Sequence, residues 1–386
     1  MARLITVSNR LPFCLTEATV DGGQRVTSSS GGLVSALSGA RVRGERIWLG
    51  CAPERMTKEA WPSIEKILPD TGWRYHPVFA DAKVYDNYYN GCCNDVLWPT
   101  LHYQPEFVAF ERDQWAAYRE MNELIADEIA KIAGPDDLIW IHDFHLFLVP
   151  QILRQKRSEL KIGFFLHVPF PSSEVFRQLP VREEILSSLL EADLIGFHDY
   201  SYLRHFCETI VRLLGLETTF LAVKRGPKVT RLGVFPVSID TEHFQRKSLE
   251  AGVRTLGRSA ESGRFLFLGV DRLDYIKGVD LKFKAFASLL KRYPDCREKV
   301  SLLQIAVPTR TGAPAYARLA QEIAQLVGEI NGEYSTPTWT PIQYIHSSVS
   351  NDELIALYRG ADALIVTSKR DGMNLVALEY IASQDA

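Results

Sequence analysis

Two short stretches concentrate the side chains that could handle a phosphorylated substrate. The first, Asp271-Arg272-Leu273-Asp274-Tyr275-Ile276-Lys277-Gly278, follows an apolar run from Phe265 to Val270 and opens a helical pattern from Val279 to Tyr293. Lys277 falls at the start of that helix, where the macrodipole disfavours a cation unless an anion lies between them. Arg272, five residues earlier, can fork onto the same anion. An Arg and a Lys from one loop suit the two charges of a diphosphate. Their plainer use is as solvated cations, with Arg272 bridging to Asp274. The second stretch is Thr367-Ser368-Lys369-Arg370-Asp371-Gly372-Met373-Asn374-Leu375-Val376, after the apolar run Ala363 to Val366, which reads as a buried parallel strand. Gly372 allows a sharp turn into a helix, and unpaired amides at a helix start suit a phosphate or a sugar hydroxyl. Asp371 is an acceptor on that turn, and Glu379 lies two turns along, within reach of a ribose diol. The plainer reading is a strand-to-helix connection with Asp371 as N-cap.

Other polar residues cluster where strands should end. Asn9-Arg10 closes the run Arg3 to Ser8, and His142-Asp143-Phe144-His145 closes Leu138 to Ile141. His167-Val168-Pro169-Phe170-Pro171 closes Ile162 to Leu166. His142 and His145 have the spacing of a metal pair, but no third ligand cluster accompanies them, so no metal is expected. Asp143 alone reads equally as an N-cap, and Tyr89 and Trp98 as core aromatics.

These residues need a scaffold of alternating strands and helices, and the apolar periodicity supplies one. Further strands are expected at Arg46 to Ala52, Tyr75 to Phe79, Leu194 to Phe197, Leu232 to Pro236, Val300 to Val307 and Ile342 to Ile345. Trp115 to Ile132 is a long amphipathic helix with Tyr118, Met121, Ile125 and Ile132 roughly on one face. Val279 to Tyr293 turns Phe283, Phe286, Leu290 and Tyr293 inward, and Met373 to Gln384 turns Leu375, Leu378 and Ile381 inward. The polar stretch Thr241 to Gly263 reads as a linker. The fold class is therefore α/β, with two doubly wound, Rossmann-like domains, 1–236 and 237–386, facing a cleft. Ligands are expected beyond the carboxyl ends of the strands.

Composition narrows the classes. The 386 residues are 46% hydrophobic, enough for a sizeable core in two domains. A net charge of −3 gives no support to nucleic acid or a membrane surface as the main partner. The apolar segment at the N-terminus is too short for a signal peptide to be expected there, and no run is long enough to span a bilayer. The six cysteines show no zinc spacing and read as reduced thiols of a cytoplasmic protein.

Taken in order, the motifs resemble the trehalose-6-phosphate synthase family of retaining glycosyltransferases. They are Ser8-Asn9-Arg10, Ser30-Gly31-Gly32-Leu33, Tyr88-Tyr89-Asn90 with Leu97-Trp98-Pro99, Trp140 to His145, Phe164 to Pro171, the 271–278 loop, Gln304-Ile305-Ala306, Ile330-Asn331-Gly332 and Arg370 to Val376. The resemblance implies a GT-B fold and transfer of glucose from a nucleotide glucose, UDP-glucose above all, to glucose 6-phosphate. It puts Arg272 and Lys277 on the donor diphosphate, with the amides of Leu375 and Val376. It puts Asp371, Gly372, Met373 and Asn374 on the donor glucose, Glu379 on the ribose, and His167 near the glucose 6-hydroxyl. Gly31 and Gly32 form a loop closing over the donor. Arg10, Tyr89 and Arg310 grip the acceptor phosphate, with Trp98 and Asp143 on the acceptor sugar.

The implied catalytic set is Asp143, His167, Arg272, Lys277 and Asp371, with no cofactor. Fixed cations answer the charge that builds on the leaving diphosphate. Arg10 and Arg310 lie in different halves, so acceptor binding is expected to draw the domains together and exclude water. A homo-oligomer and a trehalose-phosphate phosphatase acting downstream are compatible partners. Two departures stand out. Family members continue beyond the point where Gln384-Asp385-Ala386 ends this chain, so the second domain is expected to be incomplete. Cys51 follows Gly50 where the family commonly has tryptophan. Two alternatives stay open: a catalytically silent, sugar-phosphate-binding relative, and a GT-B enzyme with another acceptor.

Overall fold

The computed structural model describes residues 2–17, 24–28, 33–34, 37, 44–54, 56–250, 263–310 and 314–384. The chain divides into two compact units, Met1–Val237 and Ser238–Ala386.

The first unit is built on a sheet whose first strand in the chain, β1 (Leu4–Arg10), is buried along all but its last residue. Its parallel neighbours are β4 (Arg46–Cys51) and β6 (Leu138–His142). β5 (Arg74–Val78) extends the sheet beyond β4. β7 (Lys161–Phe165) and β8 (Leu194–Phe197) extend it beyond β6. β11 (Lys228–Val234), β10 (Ala222–Arg225) and β9 (Thr218–Thr219) complete the nine-stranded order β5-β4-β1-β6-β7-β8-β11-β10-β9. A separate hairpin pairs β2 (Phe13–Glu17) with β3 (Gln24–Ser28). Buried β-branched and aromatic residues, such as Ile5, Val7, Ile139, Ile141, Phe164 and Phe197, make these strands near-continuous apolar runs. The Arg112–Ile132 helix buries Trp115, Tyr118, Met121, Ile125 and Ile129. The chain works outward from β1 to β5, then returns to the opposite side of β1 at β6. That reversal opens a crevice beyond the carboxyl ends of β1 and β6, where Arg10 and Asp143 lie.

The second unit repeats the device on a smaller scale. Its parallel sheet has the order β14-β13-β12-β15, from β12 (Phe265–Arg272), β13 (Val300–Val307), β14 (Ile342–Ile345) and β15 (Ala363–Leu364). The Val279–Arg292 and Pro314–Tyr334 helices cover one face through Phe283, Phe286, Ile323 and Ile330. The other face buries Leu266, Leu268, Leu303 and Tyr358, with Phe244, Val376 and Tyr380 packed against them. Here the reversal falls between β12 and β15, which brings the 271–278 loop beside the segment after Leu364.

Several expectations need correction. Thr241–Ser248 is a helix capped by Asp240, not linker, and its Phe244 joins the core. Ala363 to Val366 is not a buried strand: only Ala363–Leu364 pairs, on one side, and Val366 is exposed. The last helix is Leu375–Ala382, and it turns Val376 and Tyr380, four apart, to the core. Ile381, on the neighbouring stripe, is 68% exposed. Tyr293 lies past the end of its helix at φ −127°, outside the helical register, and is exposed too.

Candidate functional site

In the second unit the two chemistry-bearing loops meet. Thr367 Oγ1 donates to the carbonyls of Lys277 (3.2 Å) and Gly278 (3.0 Å), and the Lys369 amide donates to the Ile276 carbonyl at 2.7 Å. Gly278 is required there twice over. Its φ is +60°, and a Cβ would come within 2.4 Å of the Thr367 carbonyl oxygen. The junction delivers Lys277 Nζ to Asp371 Oδ2 at 2.5 Å, beside Gly372. The anion that answers the misplaced cation is therefore Asp371 itself.

Asp371 is not the N-cap of the following helix. That position belongs to Asn374, whose Oδ1 accepts from the Ala377 amide while its Nδ2 donates to Asp371 Oδ2 at 3.3 Å. The helix offers the amides of Leu375 and Val376 no carbonyl of its own. Arg272 is exposed at the carboxyl end of β12. A lysine, two helix N-termini and a carboxylate that can turn from lysine to a sugar hydroxyl are thus assembled around one turn.

Beneath this turn lies a network the sequence did not reveal. Lys282 is fully buried, and its Nζ donates to Asp271 Oδ2 (2.6 Å) and Gln304 Oε1 (2.9 Å). Gln304 Nε2 donates to the same Asp271 oxygen at 3.1 Å. Burial pulls the Lys282 ammonium below its ordinary pKa, and Asp271 opposes that shift. A Cβ at Gly269 would lie 2.1 Å from Gln304 Oε1, so only glycine leaves room for the network. It anchors the strand end that carries Arg272. Lys282→Met is expected to cost about 3–5 kcal/mol, because it strands the Asp271 carboxylate in the interior. Urea unfolding should show that loss, and the double variant with Asp271→Asn should recover most of it.

Glu379 accepts a hydrogen bond from Tyr358 Oη at 2.8 Å. Burial raises its pKa, against the effect of that hydrogen bond. Its second oxygen carries no hydrogen bond within the described residues. Arg310 is held inside its own unit, with Nη1 on Asp274 Oδ2 at 3.4 Å and on the Tyr316 hydroxyl. It sits at φ +50°, rare for a side-chain-bearing residue.

In the first unit Arg10 ends β1. Its Nε donates to Tyr85 Oη at 2.7 Å, and its guanidinium carbon lies 4.3 Å from the centre of the Tyr89 ring. Tyr85, Tyr89 and His145 stack in succession, each pair with ring centres 5.8 Å apart. The tyrosines reach this position from Ala82–Asp86 and from a wide π-helix, Asn87–Leu97. Gly50 lies against the same strand end, where a Cβ would meet the Arg10 carbonyl carbon at 2.8 Å. Cys51 is buried beside it, and burial pushes its thiol up to about 12. Trp98 is buried against His102 and Phe144, a core position.

Asp143 adopts φ +76°, ψ 168°, strain that a non-glycine residue keeps only where its surroundings impose it. Its side chain caps no helix; Oδ1 accepts from the His167 amide at 3.1 Å. His167 belongs to a cluster of imidazoles. His142 Nδ1 and His167 Nε2 are 2.9 Å apart, and the His167 and His198 ring centres are 5.4 Å apart. Desolvation lowers the His142 pKa to about 3. Desolvation, then the neighbouring imidazoles, puts His167 well below its ordinary value. Both rings are therefore neutral.

Among the sequence-derived residues, Lys277, Asp371 and Asn374 converge in the second unit. Arg10 and Tyr89 converge in the first, as do Asp143 and His167. Gly31 and Gly32 lie outside the described residues. Sequence reasoning missed Tyr85, Tyr358, Lys282, His142 and His198 as partners of these groups. For Tyr85 a signal existed, since it stands four residues before Tyr89 on a helical pattern.

A family model described as glycosyltransferase family 20 matches residues 2–386. The chain is 46% identical over 391 residues to an Aspergillus fumigatus protein named α,α-trehalose-phosphate synthase (UDP-forming) 1, covering 99% of this chain and 75% of the relative. It is similar to a solved α,α-trehalose-phosphate synthase (UDP-forming) from Burkholderia xenovorans in complex with glucose-6-phosphate. That match has a TM-score of 0.86 and 32% identity, and covers 100% of this chain and 83% of the other. An E. coli protein solved with UDP-2-fluoro glucose matches at TM-score 0.88 and 31% identity, over 100% of this chain and 82% of the other.

Proposed function

The chain belongs to glycosyltransferase family 20, and from that premise we propose that it moves glucose from UDP-glucose to glucose 6-phosphate, giving α,α-trehalose 6-phosphate and UDP. The observation that carries the reading is the junction of Lys277 with Asp371 beside the Gly372 turn. There a cation is held where a leaving diphosphate needs one, by a carboxylate that can turn to a sugar hydroxyl.

In this reading Arg272 and Lys277 take the diphosphate, with the amides of Leu375 and Val376. Asp371, Gly372, Met373 and Asn374 take the donor glucose, and Glu379 takes the ribose diol with the oxygen that Tyr358 leaves open. His167 meets the glucose 6-hydroxyl. Arg10 and Tyr89 hold the acceptor phosphate, and Asp143 holds the acceptor sugar. Arg310 is a further candidate for the acceptor phosphate, and taking it up requires release from Asp274 and Tyr316. Trp98 supports the acceptor side from the core.

The bond from the glucose C1 to the phosphate oxygen breaks, and its electron pair leaves on UDP. The acceptor's anomeric hydroxyl attacks C1 from the face that UDP departs, and its proton passes to the departing phosphate oxygen. Retention follows without a side-chain nucleophile. Positive groups fixed in advance lower the barrier because they need no reorganisation as charge develops. A cytoplasmic setting and a phosphatase that consumes the product accompany this reading.

The test is nucleotide release from UDP-, GDP- and ADP-glucose, with and without glucose 6-phosphate, and proton NMR of the product. Release with UDP-glucose that depends on glucose 6-phosphate, with both anomeric protons in α configuration, is expected. Binding of both sugars with no release would instead establish a silent relative. Release with a different acceptor would establish other chemistry.

A further inference from the structure

We propose that His142 is a positioning residue that holds the His167 imidazole as its Nδ1–H tautomer and so sets the hydrogen bond His167 can offer a substrate hydroxyl. The inference rests on the placement of His167 at the donor 6-hydroxyl given above.

The His142 Nδ1 and His167 Nε2 atoms are 2.9 Å apart, so one proton lies between two ring nitrogens. His142 is 1% exposed, and its other nitrogen, Nε2, is buried with no hydrogen-bond partner among the described residues. The Trp140 ring packs against the imidazole, 4.4 Å away centre to centre. Two neutral arrangements satisfy the pair. If His167 donates, His142 must carry its own proton on Nε2, an N–H buried without an acceptor. If His142 donates from Nδ1, Nε2 is a bare lone pair, and orphaned N–H groups are the rarer of the two in folded proteins. The second arrangement therefore prevails, and it puts the proton of His167 on Nδ1.

The surroundings keep the ring in that pose. The His167 ring centre lies 4.7 Å from Phe165 and 5.4 Å from His198. His198 Nδ1 accepts the Val237 amide proton at 3.3 Å, so its own proton is on Nε2. Asp143 fixes the His167 main chain through its amide. With Nε2 engaged, Nδ1 is the ring nitrogen open to a ligand, and as an N–H it donates. A donor sugar bearing a hydroxyl at C6 can accept that proton; one lacking it cannot. The logic is that of outer-shell groups that fix the tautomer of a metal-bound histidine, applied to a sugar contact.

The experiment uses the full chain with histidine nitrogens labelled. Long-range proton–nitrogen NMR should show His167 protonated on Nδ1 in the wild type and a mixture of tautomers in His142→Phe. Kinetics should show that His142→Phe lowers kcat/KM for UDP-glucose by about 10–100-fold with the KM for glucose 6-phosphate unchanged. His142→Asn, whose amide falls near Nδ1, should restore most of the loss. His142→Gln, whose amide falls near Nε2, should not. With UDP-xylose, which lacks the C6 hydroxymethyl group, the His142→Phe penalty should vanish. A wild-type His167 protonated on Nε2, or the same His167 tautomer in wild type and His142→Phe, overturns the proposal. The wild-type spectrum decides even where a variant fails to fold. Equal penalties with both donors and the tautomer as stated would refute the placement of His167 at the 6-hydroxyl instead.

Discussion

Lys277→Ala is expected to lower turnover by about two to three orders of magnitude, the scale seen when one preorganised donor to developing charge is removed. Lys277 Nζ brings a positive charge to within 2.5 Å of Asp371 Oδ2. Removing it leaves a partly buried carboxylate facing the incoming diphosphate, so the variant loses an attraction and gains a repulsion. A purely structural ion pair makes a different prediction. There the variant would lose stability and keep its donor affinity, and a second substitution, Asp371→Asn, would repair it. In the account given above, Lys277→Ala with Asp371→Asn regains thermal stability but not turnover. Initial rates and thermal midpoints of the three variants separate the two cases.

Arg10→Ala is expected to raise the KM for glucose 6-phosphate by about 10–100-fold, as a charge-assisted hydrogen bond contributes about 1.5–3 kcal/mol. UDP affinity should be untouched. Arg10→Lys should recover little, because lysine keeps the charge but loses the planar fork and the stack on Tyr89. Tyr85→Phe removes only the hydrogen bond to Nε, so its effect should be several-fold smaller. Saturation curves for the acceptor at fixed UDP-glucose check the order Arg10→Ala, Arg10→Lys, Tyr85→Phe.

The alternation of apolar runs located the strands well, because parallel strands buried on both faces leave a plain signature. It also put Arg10, Asp143, His167, Arg272 and Lys277 at strand or helix ends. What it could not place were pairings across sequence. Asp371 as the anion beside Lys277 depends on two loops meeting 94 residues apart. Local reasoning offered Asp371 as an N-cap, when Asn374, three residues on, takes that role. The Lys282–Asp271–Gln304 network was invisible for a related reason. A lysine on a helix reads as solvent-facing until its helix is docked on a sheet. Helix faces failed at Tyr293, past the end of its helix, and along Leu375–Ala382, where Val376 and Tyr380 pack on the core in place of the expected Leu375, Leu378 and Ile381.

The central claim is that two separate sets of positive groups each hold one phosphorylated ligand. Calorimetric titration of UDP and of glucose 6-phosphate into Arg10→Ala and Lys277→Ala tests it most directly. The account predicts a crossed result. Lys277→Ala should lose UDP binding and keep glucose 6-phosphate, and Arg10→Ala should do the reverse. Both variants weakening both ligands alike, or neither changing either, would contradict it.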